Sequence, residues 1–100
     1  MALLQHRFGP HGLYILDEPE AALSPARQLA LLARMAELVE QGSQFIIATH
    51  SPIVLAYPDS LIYHFGERGI EPIEYEQTEH YKVTRAFLLR REQMLKELLE

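Results

Sequence analysis

Cysteine is absent from the 100-residue chain, which excludes disulfides and thiolate-held zinc. That usage suits a reducing compartment, so the expectation is a cytoplasmic protein. No apolar run approaches the roughly 20 residues that a membrane-spanning helix requires. The opening Met1-Ala2-Leu3-Leu4-Gln5-His6-Arg7 is too short and too polar for a signal peptide. Positive charge is scarce: Lys+Arg 9 stand against Asp+Glu 14, for a net charge of −5. Affinity for a phosphate backbone comes from basic patches. These residues are therefore not a stand-alone nucleic-acid binder, and nucleic acid would reach them only through other domains. Internal repeats, low-complexity tracts and linkers are missing as well.

What is present is enough for a packed core, at 48% hydrophobic and 23% charged residues. One hundred residues make one small domain or part of a larger one. The chain is organised around Leu13-Tyr14-Ile15-Leu16-Asp17-Glu18-Pro19. A short apolar run behind the turn Gly9-Pro10-His11-Gly12 reads as a strand, over 13–16, buried on both faces. Asp17 stands where that strand leaves the sheet, and in open α/β sheets ligands bind at the carboxyl ends of strands. A carboxylate there suits Mg²⁺, which takes only one or two carboxylates and keeps several waters. Glu18 would then be free to polarise an attacking water. Asp-Glu-Pro after a strand also makes an ordinary exposed turn, so the dipeptide by itself leaves both readings open.

The rest of the chain narrows them. Residues 1–8 have the spacing of a helix end, with Leu3, Leu4 and Phe8 on one side and Gly9-Pro10 as the stop. Ser24-Pro25 starts a helix, with serine as N-cap and proline at the first position, and Gly42 closes it after about Gln41. Leu31, Leu32, Met35, Leu38 and Val39 form its apolar face. A second buried strand over 44–49 ends at His50-Ser51-Pro52. Strand, helix and strand in this order predict a right-handed parallel βαβ unit. Both carboxyl ends then lie on one edge, and Asp17, Glu18 and His50 line one site. A histidine after a strand also serves as an ordinary structural residue. Further on, 60–65 reads as a strand, Gly66-Glu67-Arg68-Gly69 as a hairpin turn, and 70–75 as an edge strand containing Pro72. Thr78 caps a helix with Tyr81, Val83, Phe87 and Leu88 as its apolar residues, and a last helix carries Met94, Leu95, Leu98 and Leu99.

These residues resemble a family. The stretch 13–18 resembles a Walker B strand with its catalytic glutamate. Glu20-Ala21-Ala22-Leu23-Ser24-Pro25 is similar to a D-loop, and Phe45-Ile46-Ile47-Ala48-Thr49-His50-Ser51-Pro52 to a switch-histidine loop. Their order and spacing resemble ABC-type P-loop ATPase domains, in the AAA, SMC-like and DNA-repair-like branches rather than in transporters. The resemblance covers 13–65 well. It implies an α/β fold: part of a P-loop NTPase core, a mostly parallel sheet with flanking helices, and a C-terminal helical pair over 78–100. It also implies ATP and Mg²⁺, with Asp17 on the metal, Glu18 as general base or water-polarising residue, and His50 on the γ-phosphate. Ala22, Leu23 and Ser24 would reach across a head-to-tail dimer, with Ser24 among the nucleotide-binding residues, although many relatives carry an acid where Ser24 stands.

No Gly-x-x-x-x-Gly-Lys-Ser/Thr occurs, so the backbone cradle and lysine that hold a triphosphate are not in these residues. The family's signature motif is missing too. The expectation is the C-terminal half of an ATPase domain, active only as a homodimer or with a Walker A-containing partner and marginal alone. The alternative is a non-catalytic remnant or protein-interaction module. No nucleophile turn with a Ser/His/Asp grouping exists, the five histidines lack metal-ligand spacing, and the tyrosines form no stripe for single-stranded nucleic acid.

Overall fold

In a computed structural model, the chain is described over residues 2–5 and 12–100, with side chains from 12 onward. It divides into two compact units, Met1–Pro58 and Asp59–Glu100.

The first unit is a three-stranded sheet in which β1 (Ala2–Gln5), β2 (Leu13–Asp17) and β3 (Gln44–Ala48) lie in that order, with a helix between β2 and β3. Helix α1 is Pro25–Glu40. β2 and β3 are parallel, with Tyr14 opposite Phe45 and Asp17 opposite Ala48. The helix ends follow local chemistry. Ser24 Oγ accepts the Arg27 N–H at 3.2 Å, and Pro25 needs no partner for the amide hydrogen it lacks. At the far end Gly42 takes φ 91°, its N–H reaching Val39 O while Ser43 N–H reaches Leu38 O. That pair of bonds is a Schellman closure. Ser43 is buried and its Oγ accepts the Gly12 N–H, tying the helix exit to the entry of β2.

Side chains alternate across a strand, and the described elements bury only one face of this sheet. Tyr14, Leu16, Met35, Leu38 and Val54 form the core, with the Tyr14 and Phe45 rings stacked at 4.8 Å. Leu13 and Ile15 of β2 and Ile46 of β3 lie on the other face and are exposed. The expectation of strands buried on both faces is corrected accordingly. Along α1 the predicted face holds at Met35 and Leu38, is half-buried at Leu31 and Leu32, and is exposed at Val39.

A second correction concerns the N-terminus. Ala2–Gln5 is a strand, β1, antiparallel to β2, with Leu3 opposite Leu16 and Leu4 opposite Ile15. Pairing with the edge of β2 satisfies backbone groups of this segment, whereas a helix of a few residues is too short to be stable by itself. The predicted helix end at Phe8 and the turn residues 9–11 lie outside the described residues. The sheet is therefore mixed, and its parallel pairing is confined to β2 and β3.

The second unit has a hairpin of β4, Tyr63–Gly66, and β5, Gly69–Pro72, followed by α2, Glu79–Leu89, and α3, Arg91–Leu99. The hairpin is a separate two-stranded sheet, and Pro72 stands opposite Tyr63 where no further strand pairs. Thr78 Oγ1 accepts the Tyr81 N–H and donates to Tyr75 O, which makes it the predicted cap of α2. Tyr81 and Phe87 of the predicted apolar face are half-buried, while Val83 and Leu88 are exposed. The last helix repeats this, half-burying Met94 and Leu95 and exposing Leu98 and Leu99. Among the described residues, no helix is long and apolar enough to cross a membrane.

Candidate functional site

The site is built where β2 and β3 end. Asp17 closes β2 with its side chain exposed. The chain then turns sharply: Glu18 adopts φ 49° and ψ 56°, a left-handed conformation that costs an L-residue with a Cβ about 1–2 kcal/mol. Its backbone N–H donates to Ala48 O at 2.7 Å, so the turn is bolted to the end of the neighbouring strand. Pro19, fully buried, opens a 3₁₀ turn over Pro19–Ala22. Leu23 N–H returns to Glu20 O at 2.9 Å and closes it.

The loop after β3 meets this turn. His50 Nδ1 and Glu18 Oε1 are 3.0 Å apart. With Glu18 as a carboxylate, which can only accept, the ring donates from Nδ1. Both side chains stand open to solvent, 73% exposed for His50 and 51% for Glu18. An exposed pair of this kind contributes roughly 0–1 kcal/mol, too little to fix its own geometry.

Glu20 makes the stronger connection. Its Oε1 accepts the Thr49 hydroxyl at 2.6 Å and its Oε2 accepts the His50 backbone N–H at 3.0 Å. Hydrogen bonds to a charged group contribute about 1.5–3 kcal/mol each. Partial burial pushes the Glu20 carboxyl up, but the Thr49 hydroxyl and the His50 amide outweigh it. Aided by Glu20's own amide and the nearby His50 ring, they hold it below the ordinary carboxylate range. A second bridge lies alongside. Ser51 Oγ donates to Gln28 Oε1 on the first turn of α1 and accepts the N–H groups of Ile53 and Val54. Gln28 Nε2 in turn donates to Leu23 O.

Of the residues singled out by sequence, Asp17, Glu18 and His50 share the carboxyl edge of β2 and β3, with Glu18 and His50 in contact. Ser24, expected to meet nucleotide, has its hydroxyl on the Arg27 N–H as the cap of α1. Glu20, Thr49, Gln28 and Ser51 carry the polar framework and were given no part in the chemistry by motif. A signal for them did exist. The parallel pairing of Asp17 with Ala48 sets 18–20 beside 49–51, so an acid at 20 and a hydroxyl at 49 fall together.

Among the described residues, no group of three or more His, Asp and Glu side chains is arranged to enclose a metal ion. That donor set is unsuited to a protein-caged metal. It fits Mg²⁺, which takes one or two carboxylates and leaves its other positions to water and substrate phosphates. No curated protein and no solved structure matches the chain. The family described as "AAA domain, putative AbiEii toxin, Type IV TA system" matches residues 1–56, the stretch that holds the sheet, α1 and every residue of the site. The chain belongs to that family, and through it is related to the AAA-type P-loop ATPase domains.

Proposed function

We propose that the first unit carries the metal-holding and water-activating part of an ATPase site of the ABC type. The observation that supports this best is the 3.0 Å contact of Glu18 with His50 at the carboxyl edge of two parallel strands, next to Asp17. In this reading Asp17 holds Mg²⁺, which when bound neutralises charge on the phosphates. Glu18 accepts a proton from, or orients, the attacking water. His50 contacts the γ-phosphate and orients the water. Phosphoryl transfer draws its acceleration mainly from such positioning and charge neutralisation.

The sequence holds no phosphate-binding loop, so the lysine and the amide cradle come from residues other than these 100. The site is completed in a homodimer or with a Walker A-containing partner, in the cytoplasm, as the C-terminal half of the catalytic domain. The competing reading, a non-catalytic interaction module, draws on the exposed sheet face of Leu13, Ile15 and Ile46.

The test is addition of Mn²⁺·ATP to the ¹⁵N-labelled chain, observed by NMR. Paramagnetic broadening senses millimolar binding and needs no phosphate loop. Broadening centred on Asp17, Glu18 and His50, and abolished in Asp17→Ala, is the expected result. Broadening centred elsewhere, or none, overturns the metal site and leaves the interaction module. Calorimetry with Mg²⁺·ATP is expected to show no binding at micromolar affinity. Tight binding lost in Asp17→Ala would keep the site but place a phosphate anchor within the chain.

A further inference from the structure

The weak link in the site is the histidine. Its ring contacts Glu18 through solvent-exposed side chains, and an imidazole on two freely rotating bonds does not stay in such a contact unless its backbone is fixed. The framework around it shows what fixes it. Thr49 Oγ1 donates to Glu20 and accepts the Ser51 N–H at 3.0 Å, and the His50 N–H ends on the same carboxylate. Thr49 and the His50 backbone are thereby anchored to one side chain, and Ser51 is joined to it through Thr49. Glu20 sits two positions after Glu18 in the same turn, and that turn is itself bonded to Ala48 at the end of β3.

We propose that Glu20 is a positioning residue, whose carboxylate, together with the Thr49 hydroxyl, sets the backbone at His50 so that the ring meets Glu18. Each oxygen of Glu20 accepts a hydrogen bond from the loop. The turn that carries Glu18 and Glu20 thereby holds the loop that carries the ring. What Glu18 and His50 do chemically rests on the ATPase reading, but their geometry does not.

The experiment is a long-range ¹H–¹⁵N NMR spectrum of the His50 ring in the full 100-residue chain at neutral pH. In the native protein the ring is expected in the Nδ1–H form, with a downfield, slowly exchanging His50 amide. Glu20→Ala is expected to return the ring to the tautomer mixture of a solvent-exposed imidazole while the amide signals of β2 and β3 stay in place. Thr49→Val is expected to do the same in part, and Thr49→Ser to retain the native signature. A ring unchanged in Glu20→Ala overturns the proposal, as does a native ring that already shows the free mixture. If Glu20→Ala unfolds, the Thr49 pair decides: equal spectra for Val and Ser overturn it. Failure of the ATPase reading is recorded separately, by the loss of Mn²⁺·ATP broadening at Asp17.

Discussion

The two units of this chain are held together by different means. Every buried apolar side chain among the described residues belongs to Met1–Pro58: Tyr14, Leu16, Pro19, Met35, Leu38 and Val54. In Asp59–Glu100 the one side chain that is buried is polar, Thr78 at the start of α2. The hairpin there leaves Phe65 at 75% exposure opposite the exposed Ile70, and a two-stranded hairpin is at best marginal in water. The first unit therefore has an apolar core beneath its site. The second relies on caps, turns and half-buried contacts. The family match follows the same division, ending at residue 56.

The comparison can be broken most directly at the core. Leu38→Ala is expected to lower the unfolding free energy by about 2–5 kcal/mol in urea melts, the usual cost of emptying a core leucine. The same truncation at Leu98, 70% exposed, is expected to change it by no more than about 0.5 kcal/mol. Equal costs would mean that the second unit has a core after all.

The caps sharpen the contrast. Thr78→Ala removes both an acceptor for Tyr81 N–H and a donor to Tyr75 O, at a buried position. It is expected to lose roughly 1–2 kcal/mol, read as fraying of α2 by hydrogen exchange. Ser24→Ala deletes one exposed capping bond from a helix that also has a core, and is expected to cost about 0.5–1 kcal/mol. A larger loss at Ser24 would contradict the idea that packing carries the first unit.

Acid separates the units by another route. Glu20 is held below its ordinary value, so its folded pKa lies below the unfolded one. Such a group stabilises the fold above the unfolded pKa, about 4.3, and that contribution disappears as pH falls through the folded value. Glu20→Gln is expected to flatten the acid side of the stability profile while shifting stability downward near neutral pH. An unchanged acid limb would show that the hydrogen bonds to Thr49 and His50 are not maintained in solution.

Much of this was legible in the sequence where local chemistry decides structure. Ser24-Pro25 and Gly42 bracket α1 because a cap, a proline and a left-handed glycine act within a few residues. The convergence of Glu18 and His50 followed from parallel strands having like ends together. The burial of Ile15 and Ile46 was misjudged because an apolar side chain does not reveal which faces of a sheet are covered. The strand at Ala2–Gln5 was missed because pairing to a neighbouring edge overrode a weak helical spacing. Glu20 was overlooked for a related reason. Its partners are 29 and 30 positions away, and only the β2–β3 register reveals that they meet.

At position 18 the backbone conformation and the residue type are at odds. Its φ of 49° is a conformation that glycine adopts freely, so Glu18→Gly is expected to gain on the order of 0.5–1 kcal/mol, or a few degrees in melting temperature. A population selected for thermal tolerance alone would drift toward glycine or asparagine there and lose its carboxylate. Glutamate at 18 therefore carries a backbone cost that glycine would not.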